Sequence, residues 1–494
     1  MKKAAALAVI ALPLIALPLI AYTGGAWYLG QRIQNSHDSQ AKQVEGIPNV
    51  KLLKRDYQRG LFSSTETVTI ELMGDTARAL QAAGEEETME PIRLTVRTDI
   101  RHGPWIGGAE FDAGVAQSEL VLEGEALEMV RKVFGDRKPL DLRTVYHFAG
   151  GGRSELSSPA FVFDVPAEDA DDALRVSWDG ITARVDFEEG MTRYTMSGNA
   201  PKLEVTDAKG THIVLSGLGL TGEQTRLFDD DPLLYSGLQR FTVDAITVDD
   251  RSGALPKIAL GKLVYEADVP RDGDFIDLIA RIGAEKVDVA GTAYGPAHYD
   301  FSMRHLHART ASRLYRSFMT MSADPALIGN PQAMQAQMGQ LMGPAIELLG
   351  HAPVVAIDRL SVSTPQGPAS MNVKVSLPAI TPDELANPLG LLGRIDASGA
   401  VSLPEALVRT LMVERGKAGL LAVVGDDADP DELAAMADAQ FEQTLQPLTG
   451  QGYLTRADGQ LSAKIAFSKG QLTVNGLPFN PAALAQPAPS ALPE

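Results

Sequence analysis

No cysteine occurs anywhere in these 494 residues. That excludes disulfides, thiolate metal ligands and a cysteine nucleophile together, and it suits an oxidising compartment where a stray thiol is a liability. Positive charge is also in short supply, with 44 Lys and Arg against 63 Asp and Glu and a formal net charge of -19. A nucleic-acid partner needs a basic stripe that displaces counterions from phosphate, and none is present. The same acidity repels an anionic membrane surface, so attachment to a bilayer has to come from hydrophobic insertion. Apolar side chains are not lacking. They make up 45% of the chain, enough for a sizeable core, and the length exceeds what one core usually serves.

The longest stretch without charge runs from Ala4 to Gly30. About 20 helical residues span a hydrocarbon core, so this run predicts a transmembrane helix over about 4–30. Lys2 and Lys3 precede it and place the N-terminus in the cytoplasm. Trp27 and Tyr28 stand where an interfacial aromatic belt belongs. The competing reading is a signal peptide cleaved before Trp27, with Gly24 and Ala26 as the small residues of the site. The length of the run favours the uncleaved anchor, and both readings export the body.

Period-two alternation dominates the first half of the chain. Ile92, Leu94, Val96, Thr98 and Ile100 can face a core while Arg93, Thr95, Arg97, Asp99 and Arg101 face water, the pattern of a half-buried antiparallel strand. Similar runs recur, punctuated by Asp179-Gly180, Lys209-Gly210, Asp458-Gly459 and Lys469-Gly470, pairs that tolerate the positive φ of tight hairpins. The expected fold class is α+β and β-dominated: the N-terminal helix, then a long antiparallel, curved meander sheet with a few covering helices. Helices are expected over 305–321, 325–349, 404–416 and 431–446, where alternation stops and good helix formers accumulate. The expected organisation is an anchor (1–30), a β-rich region (31–300), a helical Met-rich segment (301–350), a mixed strand and helix region (351–479) and a disordered tail (480–494).

Residues that could carry chemistry are few. Gly217-x-Gly219-x-x-Gly222 spells a dinucleotide fingerprint but continues into an acidic loop without a helical pattern, so it reads as a glycine-rich strand end. His305-x-His307, near His298 and Asp300, could share a strand face, but no metal-site spacing supports it. Ser39-Gln-Ala-Lys42 matches SxxK without the partner motifs of that chemistry and reads as a linker coincidence. Asp229-Asp230-Asp231 matches no calcium loop and reads as solvated loop acid.

Gly470-Gln-Leu-Thr-Val-Asn-Gly-Leu-Pro478, Tyr57-Gln-Arg-Gly-Leu-Phe62, His102-Gly-Pro104 and Trp178-Asp-Gly180, together with the anchor, resemble the YdgA/YihF-type family of bacterial inner-membrane-anchored proteins of unknown function. The resemblance implies a Gram-negative inner-membrane location with the body in the periplasm. It brings no catalytic residues with it.

The chain is therefore expected not to be an enzyme and to hold no cofactor or metal. The leading expectation is a non-catalytic envelope protein that binds lipid or another amphiphile, with Met319, Met334, Met338 and Met342 as ligand-binding residues, because methionine adapts to variable hydrocarbon. The expected partners are the inner membrane, through the N-terminal helix, and a lipid or another envelope protein. The alternatives are a scaffold that docks envelope partners and an envelope hydrolase.

Overall fold

The computed structural model describes residues 2–45, 47, 49–74, 91–165, 173–253, 255–322, 327, 331–381, 393–424 and 430–480. The expected disordered tail lies outside them, apart from its first residue. Two compact units emerge, Met1–Asp244 with Val248–Ala254 and Ser312–Gly343, and Ala245–Thr247 with Leu255–Ala311 and Pro344–Glu494.

In the first unit, α1 (Lys2–Glu45) precedes β1 (Val50–Arg59), β2 (Ser63–Leu72), β3 (Ile92–His102), β4 (Gly114–Val121) and α2 (Gly124–Phe134). Then come β5 (Asp141–Tyr146), β6 (Gly152–Ser158), β7 (Phe161–Val165), β8 (Leu174–Trp178), β9 (Ile181–Phe187), β10 (Arg193–Asp207), β11 (Thr211–Phe228) and most of β12 (Asp231–Asp250). Antiparallel pairing runs β1–β2–β3–β4–β5–β6–β9–β10–β11, and β7–β8 continue the far half of β10. The meander is thus nearly sequential, as alternation and turn pairs predict. The glycine fingerprint lies wholly inside β11, where no helix N-terminus could receive a pyrophosphate.

The helix α1 runs on to Glu45, so Ser39 and Lys42 are helical rather than linker. Among the described residues no helix is long and apolar enough to cross a membrane, and the transmembrane reading of the N-terminus stays an expectation. Beyond Tyr22 the helix belongs to the body. Leu29 and Ile33 join Ile100, Ala113, Ala116 and Tyr146 in one buried cluster. Close approach requires the absence of a side chain at Gly30, where a Cβ would stand 2.5 Å from the His102 ring.

The expected alternation of β3 appears from Arg97 to His102, whereas before it Thr95 is as half-buried as Leu94 and Val96, and burial climbs along the strand. Ile92 is half exposed, Leu94 and Val96 are half-buried, and Ile100 is 1% exposed, because only the C-terminal end meets α1. Ile100→Ala should therefore cost about 3 kcal/mol through lost transfer energy and a cavity. Arg97→Ala, on the solvent face, should stay within about 0.5 kcal/mol. Urea denaturation midpoints compare the two, and equal losses would contradict this packing.

The second unit contains β13 (Ile258–Val269), β14 (Arg271–Asp272), β15 (Phe275–Val289), β16 (Thr292–Tyr294) and β17 (Ala297–His307). The helices α3 (Ala308–Ser322) and α4 (Pro331–Leu349) are each divided between the units. Next are β18 (Val354–Thr364), β19 (Gly367–Ser376), β20 (Asp396–Pro404), α5 (Glu405–Val424), α6 (Pro430–Gly450), β21 (Thr455–Ala457), β22 (Gln460–Ser468), β23 (Gln471–Val474) and β24 (Leu477–Pro478). The antiparallel order is β13–β15–β17–β18–β19–β20–β22–β23–β24. Asp458-Gly459, Lys469-Gly470 and Asn475-Gly476 each have two successive positive φ angles, the signature of type I′ hairpin turns.

Two expectations about helices need correction. The helix expected from 305 begins at Ala308, because Leu306 and His307 complete the β17 ladder against Ile276 and Phe275. The helix α2 has no counterpart in the sequence reading, although Leu127, Val130 and Phe134 recur at helical spacing and Phe134 packs edge-on against Phe161.

Candidate functional site

In the second unit the cross-strand register lines up one row of large apolar side chains. Tyr265 faces Ile282, Ile282 faces Tyr299, Tyr299 faces Leu360, Leu360 faces Met371, and Met371 faces Val401. Two residues along each strand the next row reads Leu263, Ala284, Ala297, Val362 and Ala369. A row of bulky residues beside a row built largely of alanine forms a trough, and a cavity of about 550 Å³ lies there. It falls within the range of pockets that take small ligands, and its lining is overwhelmingly apolar. Ile282, Tyr299 and Leu360 keep about 40% of their surface in water, an unusual cost for neighbouring large side chains on a sheet. His298 and Ser361, 3.3 Å apart, alternate with these rows and so face the other side of the sheet.

A different arrangement holds α1 in the first unit. His37 Nδ1 lies 2.5 Å from Glu66 Oε2, Tyr146 Oη lies 2.9 Å from His37 Nε2, and Arg55 Nε donates to Glu66 Oε1 at 2.6 Å. Burial alone would raise the Glu66 carboxyl, but hydrogen bonds and charge from His37 and Arg55 outweigh it and hold the carboxyl below its usual value. Burial pushes the Tyr146 phenol well up, so it stays protonated. Nearby, Ser64 Oγ lies 3.1 Å from His102 Nε2, and His102 Nδ1 donates to the Ala26 carbonyl at 3.1 Å. With Nδ1 committed as donor, Nε2 accepts from the serine hydroxyl. A nucleophile and its base would show the same bond, yet these side chains are only 4% and 2% exposed. The pair is sealed between helix and sheet, so it fastens α1 rather than meeting a substrate.

The sequence-derived binding residues fall elsewhere. Met334, Met338 and Met342 recur every four residues on α4, each about half exposed, and Met319 is half-buried on α3. None lines the trough, whose one methionine is Met371. His298 and Asp300 do not join His305 and His307, since His298 meets Ser361 and Asp300 pairs with Arg359 at 2.8 Å. Asp231 is not a solvated loop acid. It is 2% exposed and bound by Ser312 and by Arg316 at 2.9 Å. The sequence reading missed the trough because it depends on register between six strands, although the alternations Ala297-Tyr299 and Ala369-Met371 are visible in the chain.

The family described as "bacterial protein of unknown function (DUF945)" matches residues 1–482. The chain belongs to the DUF945 family. Protein YdgA of Escherichia coli (strain K12) is 20% identical over 497 residues, covering 92% of this chain and 91% of the relative. No solved structure matches. Most of the motifs that carry the likeness have structural work in this DUF945 chain. Arg59 lies over the Trp27 ring at 5.5 Å, Phe62 packs near Tyr22 at 5.7 Å, and His102 holds Ala26, so all three touch α1. At the other end Asn475 closes a turn by accepting from the Lys464 amide and donating to the Gly452 carbonyl.

Proposed function

We propose that this DUF945 protein is a non-catalytic envelope protein, tethered to the inner membrane by its N-terminal segment, that binds the acyl chain of a lipid or similar amphiphile in the trough of its second unit. The observation that carries this reading is the trough itself, a water-facing apolar channel of about 550 Å³ floored by Ala284, Ala297 and Ala369. Small floor residues leave room for hydrocarbon, and exposed Ile282, Tyr299 and Leu360 offer it a wall. The uncharged Ala4–Gly30 run supports the tether. A tether of this kind keeps a lipid site near its ligand and raises the effective concentration without demanding high affinity.

The test uses the full chain and a photoactivatable fatty acid, with crosslinked peptides located by mass spectrometry. Saturable crosslinks are expected on β13, β15 and β17–β20, and Ala284→Trp with Ala369→Trp, which fills the floor, should lower them at least about tenfold while leaving the sheet folded. Crosslinks confined to α4 would move the site to the methionine stripe. No saturable crosslink anywhere would leave a scaffold role as the better account.

A further inference from the structure

The turn between α4 and β18 brings together three side chains of metal-ligating type that the trough does not use. The ligand atoms of His307, Glu347 and His351 all lie within 4.8 Å of one another. We propose that these residues form a site for a divalent transition metal of the zinc type, with two imidazoles and one carboxylate as ligands and a remaining position open to water. This set is new relative to the sequence reading, which paired His307 with His305, His298 and Asp300.

The hydrogen bonds around the cluster prepare it for a cation. The hydroxyl of Thr310, which is 0% exposed, donates to Glu347 Oε1 at 2.8 Å. A hydroxyl has one hydrogen, so toward His307 Nδ1, 2.9 Å away, Thr310 can only accept. His307 therefore carries its proton on Nδ1 and presents the bare Nε2 lone pair that a metal needs. An oriented His of this kind, with its other nitrogen bound to a neighbouring oxygen, is the usual outer-shell device of zinc sites. The same threonine also holds the carboxylate ligand, so one buried hydroxyl positions two of the three donors.

His305 plays a supporting part. Its Nδ1 donates to the His351 carbonyl at 2.7 Å and its own amide donates to Asp277 Oδ1 at 2.9 Å. Its ring lies flat on Phe275 at 4.0 Å. The Phe275 edge also meets His307 and His351 at 6.0 and 5.9 Å, which walls one side of the site. The His307 and His351 rings stack at 4.5 Å with planes 17° apart. Among the described residues the His351 ring nitrogens have no hydrogen-bond partner, so they are available for coordination. Two donors on one tetrahedral ion with bonds of about 2.0–2.1 Å stand roughly 3.3 Å apart, and imidazole lone pairs lie in the ring planes, so binding would turn one ring out of the stack as well as draw the ligands inward by about an ångström. Glu347 and His351 are four residues apart at a helix end and can move as one turn. The positive charge of neighbouring Arg304 is already matched by Asp358 at 2.8 Å.

The test titrates the metal-free full chain with Zn²⁺, followed by calorimetry, and repeats it with Co²⁺ to read the visible spectrum of a low-coordinate site. One equivalent should bind saturably. His351→Ala should abolish that equivalent, and Thr310→Val, which leaves all three ligands in place, should weaken it about 10–100-fold. His298→Ala, a histidine of the same unit outside the cluster, should leave binding unchanged, and circular dichroism checks that each variant is folded. No saturable equivalent in the natural chain, or equal binding in folded His351→Ala, would overturn the proposal.

Discussion

Glu66→Ala should destabilise the first unit by about 4 kcal/mol, because it strips the partner from buried charge and polar groups. The carboxylate sits 5% exposed between His37 of α1 and Arg55 of β1, and Tyr146 of β5 completes the chain of contacts through the imidazole. Removing it leaves His37 Nδ1 and Arg55 Nε without their shared acceptor, and Arg55 keeps only the half-exposed Asp38 at 2.7 Å. Hydrogen exchange read by mass spectrometry should show lost protection in residues 22–45 and β1–β3, while β13–β22 stay protected. The pH dependence follows from the lowered Glu66 carboxyl. A depressed carboxylate contributes stability that is fully present above its unfolded value, about pH 4, and is lost as pH falls through the lower folded value. The natural chain should therefore show an acid loss in this unit that Glu66→Gln makes much smaller. An unchanged acid profile in that variant would mean that other groups govern the transition.

Phe441→Ala should cost the second unit about 4 kcal/mol. In α6, Leu433, Ala437, Phe441 and Leu445 are all buried and recur every four residues, so one side of the helix is wholly core. Phe441 is 1% exposed and packs with Leu445 and with Leu461 of β22, while the Arg409 guanidinium sits 4.6 Å above its ring. That arginine is held in turn by Asp438 at 2.6 Å and by Glu442 and Glu405, the last two shared with Arg456. Loss of the ring opens a cavity and leaves the guanidinium without its π face. Amide exchange should rise in α5, α6 and β22 together, and Phe441→Leu should be markedly milder. If α6 exchanges faster while β22 does not, the helix is not packed on the sheet through this side chain.

How much of this was legible depended on the range of the interaction that decides each feature. The strand at Ile92–His102 declares itself through five alternating pairs, and Lys469-Gly470 declares its turn, because both are set by neighbours in sequence. Asn475-Gly476 is legible for the same reason. The extent of α1 was not, since residues 31–45 are polar enough to read as a linker and become helix by packing Ile33 and His37 against the sheet. The Met-rich helices were legible as helices, but whether a methionine faces a ligand depends on tertiary placement that no period reveals. The candidate metal cluster needed a strand end and a helix end 40 residues apart to meet, and the sequence offered only His305-x-His307 as a hint. His298 and Asp300 pair with Gly283 and Arg281 while His307 pairs with Phe275, so they stand roughly 20 Å or more from it along the extended strands.

The near-sequential strand order also bears on how the chain acquires its structure. Most ladders join strands that follow one another, and the large excursions in the second unit are the helical insertions between β17 and β18 and between β20 and β22. Loop closure costs little when partners are close in sequence, so each hairpin can form soon after its second strand is synthesised. A polypeptide emerging N-terminus first would lengthen the sheet of each unit largely strand by strand, with the newest strand as the growing edge. That edge would stay unpaired longest while 308–353 and 405–459 are being made, and those two intervals are where premature association between nascent chains should concentrate.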